Sequence, residues 1–181
     1  MKNQRLSTPV TQPKSPLLVD TGVAKECFRL KAWNALIQRY SVIVSESVVS
    51  ETQYYEDEIL GRVLIDLRPF VSSGKITVED PSLDELKQFQ ALFPRDLRYI
   101  DKFDAGETEL LILLSIRLKC QAQITSADHV VFKTLGRLTA GTTGVSLQEL
   151  LRVLGINKTV EYKYSKKFRE HWTLLGEQSK N

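Results

Sequence analysis

The sequence predicts an α/β protein, a three-layer α/β/α sandwich around a mainly parallel central sheet, and three observations carry that expectation. Short, wholly apolar runs such as Leu17-Leu18-Val19 and Val42-Ile43-Val44 read as strands buried on both faces. Between them stand longer stretches whose apolar residues recur at helical spacing. The two patterns alternate along nearly the whole chain, as they do where helices cover both faces of a parallel sheet.

The elements follow in order. Residues 1–16, with Pro9, Pro13 and Pro16 and few large apolar side chains, predict a flexible basic arm outside the fold. Leu17 to Val19 predicts the first strand, which ends at Asp20. From Gly22 to Tyr40, positions Val23, Cys27, Phe28, Leu30, Trp33, Leu36 and Ile37 share a helical face, so one amphipathic helix is expected. Val42 to Val44 is the second strand, and Ser47 is placed to cap a helix carrying Val48, Val49, Glu51 and Thr52. Across 61–103 the pattern supports only a strand over 75–78 and a helix over 82–92. Gly106 to Leu118 predicts a helix with Leu110, Leu113, Leu114 and Ile116 on its apolar side, and Ala122 to Thr125 the next strand. A Gly/Thr-rich turn over 139–144 leads into a helix over 145–154, and Asn157 opens a basic amphipathic tail. The expected organisation is an arm over 1–16, a domain over 17–157 and an extension over 158–181.

With 181 residues of which 42% are hydrophobic, the chain can bury one ordinary core, and its composition excludes fibrous and disordered classes. Its two cysteines, Cys27 and Cys120, each fall in an apolar helical pattern, which argues against a disulfide framework and a Cys-rich zinc site. The longest apolar run, Leu110 to Leu114, is far short of the roughly 20 residues a bilayer requires, and the N-terminus has no signal-like apolar core. A cytoplasmic protein without a membrane partner is expected. Net charge is only +3, but from Arg152 to Asn181 seven Lys or Arg stand against three acids, and Lys2, Arg5 and Lys14 precede Pro16 with no acid. Basic ends around an acidic middle suit a chain that holds a polyanion, although solvated tails would look the same.

The acids carry the chemistry. Asp20 directly follows the first predicted strand, and Asp128 lies three residues past the strand ending at Thr125. Open α/β sheets bind ligands at that edge. Glu51 and Glu107 fall in the first turn or two of helices that would begin at the same edge. Four carboxylates meeting there repel one another unless a cation sits among them, and oxygen-only ligands select a hard ion, Mg²⁺ or Mn²⁺.

The order and setting of these acids resemble the PIN-domain nuclease family, over nearly everything from Leu17 to about Leu154. The matching pieces are Leu17-Leu-Val-Asp20-Thr21, Val42-Ile-Val-Ser-Glu-Ser-Val-Val-Ser-Glu51, the Gly106-Glu107 helix start found in one branch, Thr125-Ser-Ala-Asp128, and the turn Gly141-Thr-Thr-Gly144. The resemblance implies a metal-dependent endoribonuclease acting on single-stranded RNA, often the toxin of a toxin–antitoxin pair, so an antitoxin protein and a second copy of the chain are the implied partners. It implies Asp20, Glu107 and Asp128 as metal ligands, with Glu51 completing the catalytic set. Thr21, Asp104, Thr125, Ser126 and Thr142 are then candidates to orient ligands or phosphate. This chain departs from the pattern at Gly22, where family members often carry Asn or Ser, and at Glu107, where many carry Asp. The basic extension is not part of the family pattern, and there Lys163, Lys166, Lys167 and Arg169 are candidate RNA contacts.

Plainer readings stand beside these. Asp20 and Asp128 can serve as helix N-caps, Asp104 and Glu107 can form a capping box, and Glu51 can be a solvated helix residue. His129 and His171 lack zinc-ligand neighbours. Tyr162, Tyr164, Phe168 and Trp172 interleave with the basic residues, which suits base stacking, but their spacing equally suits a docked terminal helix. A catalytically inactive PIN-like module that binds RNA or protein is the main alternative function. Phosphatases of the haloacid-dehalogenase class resemble Asp-x-Asp, and position 22 is Gly; a dinucleotide-binding protein would need a Gly-rich loop after the first strand.

Overall fold

A computed structural model describes residues 14–93 and 104–179, so the predicted arm lies mostly outside the described residues. Strands β1 (Pro16–Val19), β2 (Ser41–Val44), β5 (Ile76–Val78) and β6 (Gln123–Thr125) form a parallel sheet in the order β5-β2-β1-β6. Helices flank this sheet, giving the three-layer sandwich that the alternating pattern predicts. Leu17, Leu18 and Val19 are fully buried and Val42, Ile43 and Val44 nearly so, which is why these strands are apolar throughout rather than alternating.

The single helix expected over 22–40 is two, α1 (Thr21–Arg29) and α2 (Trp33–Arg39). The break is a Schellman motif: Ala32 N–H donates to Cys27 O, Lys31 N–H donates to Phe28 O, and Lys31 takes a φ of 58°. The Trp33 ring stacks on Phe28 at 5.0 Å across the break, so both helices feed one core. Helix α3 (Glu46–Glu51) is capped by Ser45, not by Ser47; the Ser47 hydroxyl donates to Glu109 Oε1 at 2.9 Å instead.

The stretch 52–75 holds an unpredicted antiparallel hairpin, β3 (Tyr54–Asp57) with β4 (Gly61–Leu64), and a short helix α4 (Arg68–Ser72). Helix α5 (Leu83–Ala91) carries a capping box of Ser82 and Glu85. The helix expected over 106–118 is α6 (Ala105–Ile112) continued by a π-helical turn over Leu113–Arg117. Leu110 to Leu114 are all essentially buried, so this element is a core helix and not an amphipathic one. Helix α7 (His129–Arg137) follows β6, and α8 (Leu147–Val153) follows the turn at Gly141–Thr143.

The extension ends in α9 (Lys166–Gln178), which lies against α7 at a crossing that only glycine permits. A Cβ on Gly136 would fall 2.1 Å from Thr173 O, and one on Gly176 would fall 2.0 Å from Lys133 O. Arg169 ties α9 to α8 through two hydrogen bonds to Glu149, of 2.9 and 3.0 Å. Among the described residues no helix is long and apolar enough to cross a membrane.

Candidate functional site

The sheet order defines where a site can form. The chain runs from β1 outward through β2 to β5 and then returns to place β6 on the other side of β1. Connections therefore leave β1 and β6 in opposite directions, and the crevice at their carboxyl ends is a topological switch point. Asp20 follows β1 there, and Ser126 to Asp128 follow β6. A cleft of about 350 Å³ opens at this place, and Asp20, Glu51, Asp104, Glu107, Asp128 and Lys163 all contribute to its walls.

Asp20 is only 7% exposed. Its Oδ1 accepts from Val23 N–H at 2.7 Å, capping α1, and its Oδ2 accepts from Ala127 N–H at 2.9 Å and from the Ser126 hydroxyl. Burial raises its carboxyl above the ordinary range although those hydrogen bonds pull the other way. Ser126 Oγ also accepts from Asp128 N–H at 2.9 Å, so one buried hydroxyl fixes the spacing of two cleft acids. Asp128 caps α7 through Val130 N–H at 2.7 Å, and its Oδ1 lies 3.2 Å from His129 Nδ1.

Glu107 enters from the first turn of α6. Asp104 N–H donates to its Oε2 at 3.3 Å, one arm of a capping box. Burial first, and then the neighbouring Asp128 charge, push the Glu107 carboxyl up to about 8. Glu51 ends α3, in its second turn, and Thr21 Oγ1 donates to its Oε2 at 2.9 Å. The Ser47–Glu109 bond links α3 to α6, the helices bearing Glu51 and Glu107.

The cleft thus gathers Asp20, Glu51, Glu107, Asp128, Asp104 and Thr21. Thr125 ends β6, fully buried, with an Oγ1 that has no hydrogen-bond partner. Thr142 is elsewhere: it lines a separate hollow with Ser15, Pro16 and Gln123, at the amino-terminal ends of β1 and β6, and cannot orient a phosphate in the cleft. Of the four basic residues, Lys163 reaches the cleft. Arg169 is only 14% exposed in its ion pair with Glu149 and serves the docking of α9, while Lys166 pairs with Glu170 at 3.4 Å.

Tyr164 is the contact that sequence reasoning missed. Its buried ring sends the hydroxyl to Gly22 O at 3.3 Å, so the extension is pinned beside Asp20. Gly22 is explained in the same place, because a Cβ there would sit 3.2 Å from Ala127 Cβ, at the loop that binds Asp20. The carboxylates share a cleft but are turned to their caps, and among the described residues no three His, Cys, Asp or Glu side chains are grouped to enclose one ion. No family model, curated protein or solved structure matches this chain.

Proposed function

We propose that this chain is a metal-dependent endoribonuclease of the PIN-domain kind, hydrolysing phosphodiesters of single-stranded RNA with Mg²⁺ or Mn²⁺. The observation that carries this reading is the gathering of Asp20, Glu51, Asp104, Glu107 and Asp128 in one cleft at the switch point of the sheet. The donor chemistry suits a hard cation, since every candidate ligand is a carboxylate, but among the described residues the side chains are not grouped around one ion, so binding would require them to turn inward from their caps. Asp20, Glu107 and Asp128 would hold the ion. When bound, it would polarise the phosphodiester and lower the pKa of an attacking water.

The chain's own residues have distinct parts in this reading. Asp20 is immobilised by its three hydrogen bonds, so its carboxylate is preorganised at the floor of the cleft. Ser126 couples it to Asp128. Thr21 orients Glu51, which is free to hold a water at the opposite wall. Glu107, raised to about 8 with no ion present, would be held ionised by a bound cation and so would serve as a ligand. On this reading the protein works in the cytoplasm, and a second copy of the chain and an antitoxin protein that masks the cleft are its further partners.

A second reading, a catalytically inactive PIN-like module binding RNA or protein, draws on the caps. Asp20, Asp128 and Glu107 already have structural employment in the absence of any ion. Cleavage separates the two. The nuclease reading expects purified protein to cut a single-stranded RNA oligonucleotide in Mg²⁺ or Mn²⁺ and to stop in EDTA; RNA binding without turnover in either ion would leave the inactive module.

A further inference from the structure

We infer that the extension, and not the core domain, supplies the groups that take hold of the substrate: Lys163, on the wall of the cleft, contacts a backbone phosphate, and Tyr162, beside it in the chain, stacks an unpaired base. The inference rests on the nuclease reading and names how that site takes hold of its substrate.

Lys163 is the cation among the described residues that line the cleft, where every other charge is acidic. An RNA backbone brought to those carboxylates meets repulsion, and a positive group on the wall offsets it at short range. The Lys163 amine now faces Glu161 at 3.3 Å, with side chains 47% and 64% exposed, a pair too solvated to bind it firmly. It can therefore exchange a carboxylate for a phosphate.

The support beneath it is rigid. Residues Tyr162–Tyr164 form a 3₁₀ turn, fastened on one side by Tyr164 to Gly22 O. On the other side Ser165 caps α9, which the glycine crossing and Arg169 hold against α7 and α8. Tyr162 is 61% exposed, and its ring stands perpendicular to Phe168 at 5.5 Å. An edge-on neighbour steadies the ring while leaving exposed surface for stacking. From there the rings of Phe168, Trp172 and His129 continue to Asp128 itself, since His129 is 4.5 Å from Trp172 and in contact with the Asp128 carboxylate. An exposed aromatic beside a lysine is the pairing that sequence-tolerant binding of single strands uses. A protein partner would have no need for the lysine to face an acidic cleft.

The test measures cleavage kinetics in Mg²⁺ and, in EDTA, binding of a fluorescent single-stranded RNA across a salt series. Lys163→Ala should raise KM about tenfold with little change in kcat, and should reduce the slope of log affinity against log salt by about 0.7, the value for one phosphate on a single strand. Tyr162→Ala should weaken binding by about tenfold, the scale of one lost stack, and Tyr162→Phe should restore it. Lys163→Arg should restore the salt slope. Both positions are exposed, so melting temperatures should stay near wild type; a large loss of stability in Tyr162→Ala would show a packing ring and overturn its role. If wild type cuts RNA and both alanine variants match it in KM and salt slope, the inference falls while the nuclease reading stands. If wild type neither binds nor cuts RNA, the nuclease reading falls and takes the inference with it.

Discussion

At the cleft a carboxylate must be both a helix cap and a candidate ligand, and substitutions that preserve the first role isolate the second. Asparagine caps about as well as aspartate, and glutamine keeps a capping box. Glu107→Gln should therefore fold as wild type does, whereas Asp20→Asn keeps the cap to Val23 N–H but sets an amide NH2 against the Ala127 N–H and should lose some stability; both should lose metal-dependent cleavage. Their pH behaviour is diagnostic. The Glu107 carboxyl is raised from 4.5 to about 8 in the folded chain, so the folded state keeps a proton that the unfolded state has lost. Stability should accordingly fall as pH rises from about 4.5 through about 8 in EDTA. Melts of wild type should show this decline, Glu107→Gln should flatten it, and saturating Mg²⁺ should abolish it by favouring the ionised form; a parallel decline in wild type and variant would remove Glu107 from the site. The positions of these acids were legible because strand ends are legible: Asp20 and Asp128 stand just beyond short apolar runs. Thr142 was misplaced because a Gly/Thr turn looks the same at either edge of a sheet. Tyr164 was hidden because its partner is a backbone carbonyl 142 residues away.

Helix boundaries were read well for α5, whose start Ser82 caps, and at the end of α8, but the break between α1 and α2 was missed and α4 was not expected at all. Gly155 takes a φ of 70° in a Schellman motif that ends α8, close to the expected end, and Gly74 does the same for α4. Lys31 and Thr139 adopt the same left-handed conformation with φ of 58° and 59°, and no pattern in the sequence announces a lysine in that role. The missed hairpin has a different cause. No residue of β3 or β4 is fully buried and Leu64 is 81% exposed, so the strands bury no consistent face and show no alternation. Two elements invite direct tests. The π-helical turn after α6 is held by Arg117, which donates to both Glu85 oxygens at 2.8 and 2.6 Å, to Glu79 at 3.0 Å and to Asp80 O at 2.9 Å. Arg117→Ala should cost about 1.5–3 kcal/mol in denaturant unfolding. The same guanidinium holds Glu85 down to about 2, so this contribution is full above about 4.5 and is lost as pH falls toward 2. The α7–α9 crossing is tested by Gly176→Val, whose Cβ would strike Lys133 O. A loss of at least the roughly 1–3 kcal/mol of an overpacked core, with α9 cut early by protease, is the expected result.

For the whole molecule, the extension is structural as well as basic. Phe168, Thr173 and Gly176 are buried against the domain, and Tyr164 closes on the residue after Thr21. Removing 158–181 should lower the melting temperature markedly or yield aggregated protein; a truncated chain that melts like wild type would show α9 to be an appendage. The extension expected over 158–181 thus ends in a helix packed onto the domain, the docked arrangement that its aromatic spacing allows. The return of β6 to the side of β1 has a further consequence, in the timing of synthesis. Translation delivers β1 well before β6 and α7, yet the crevice needs all three, and Lys163 follows later still. Such long-range pairing forms late and slowly. On the nuclease reading, a nascent chain that has not yet delivered β6 holds an unfinished site. On that reading, chain order keeps the message being translated beside an incomplete cleft until β6, α7 and Lys163 have emerged.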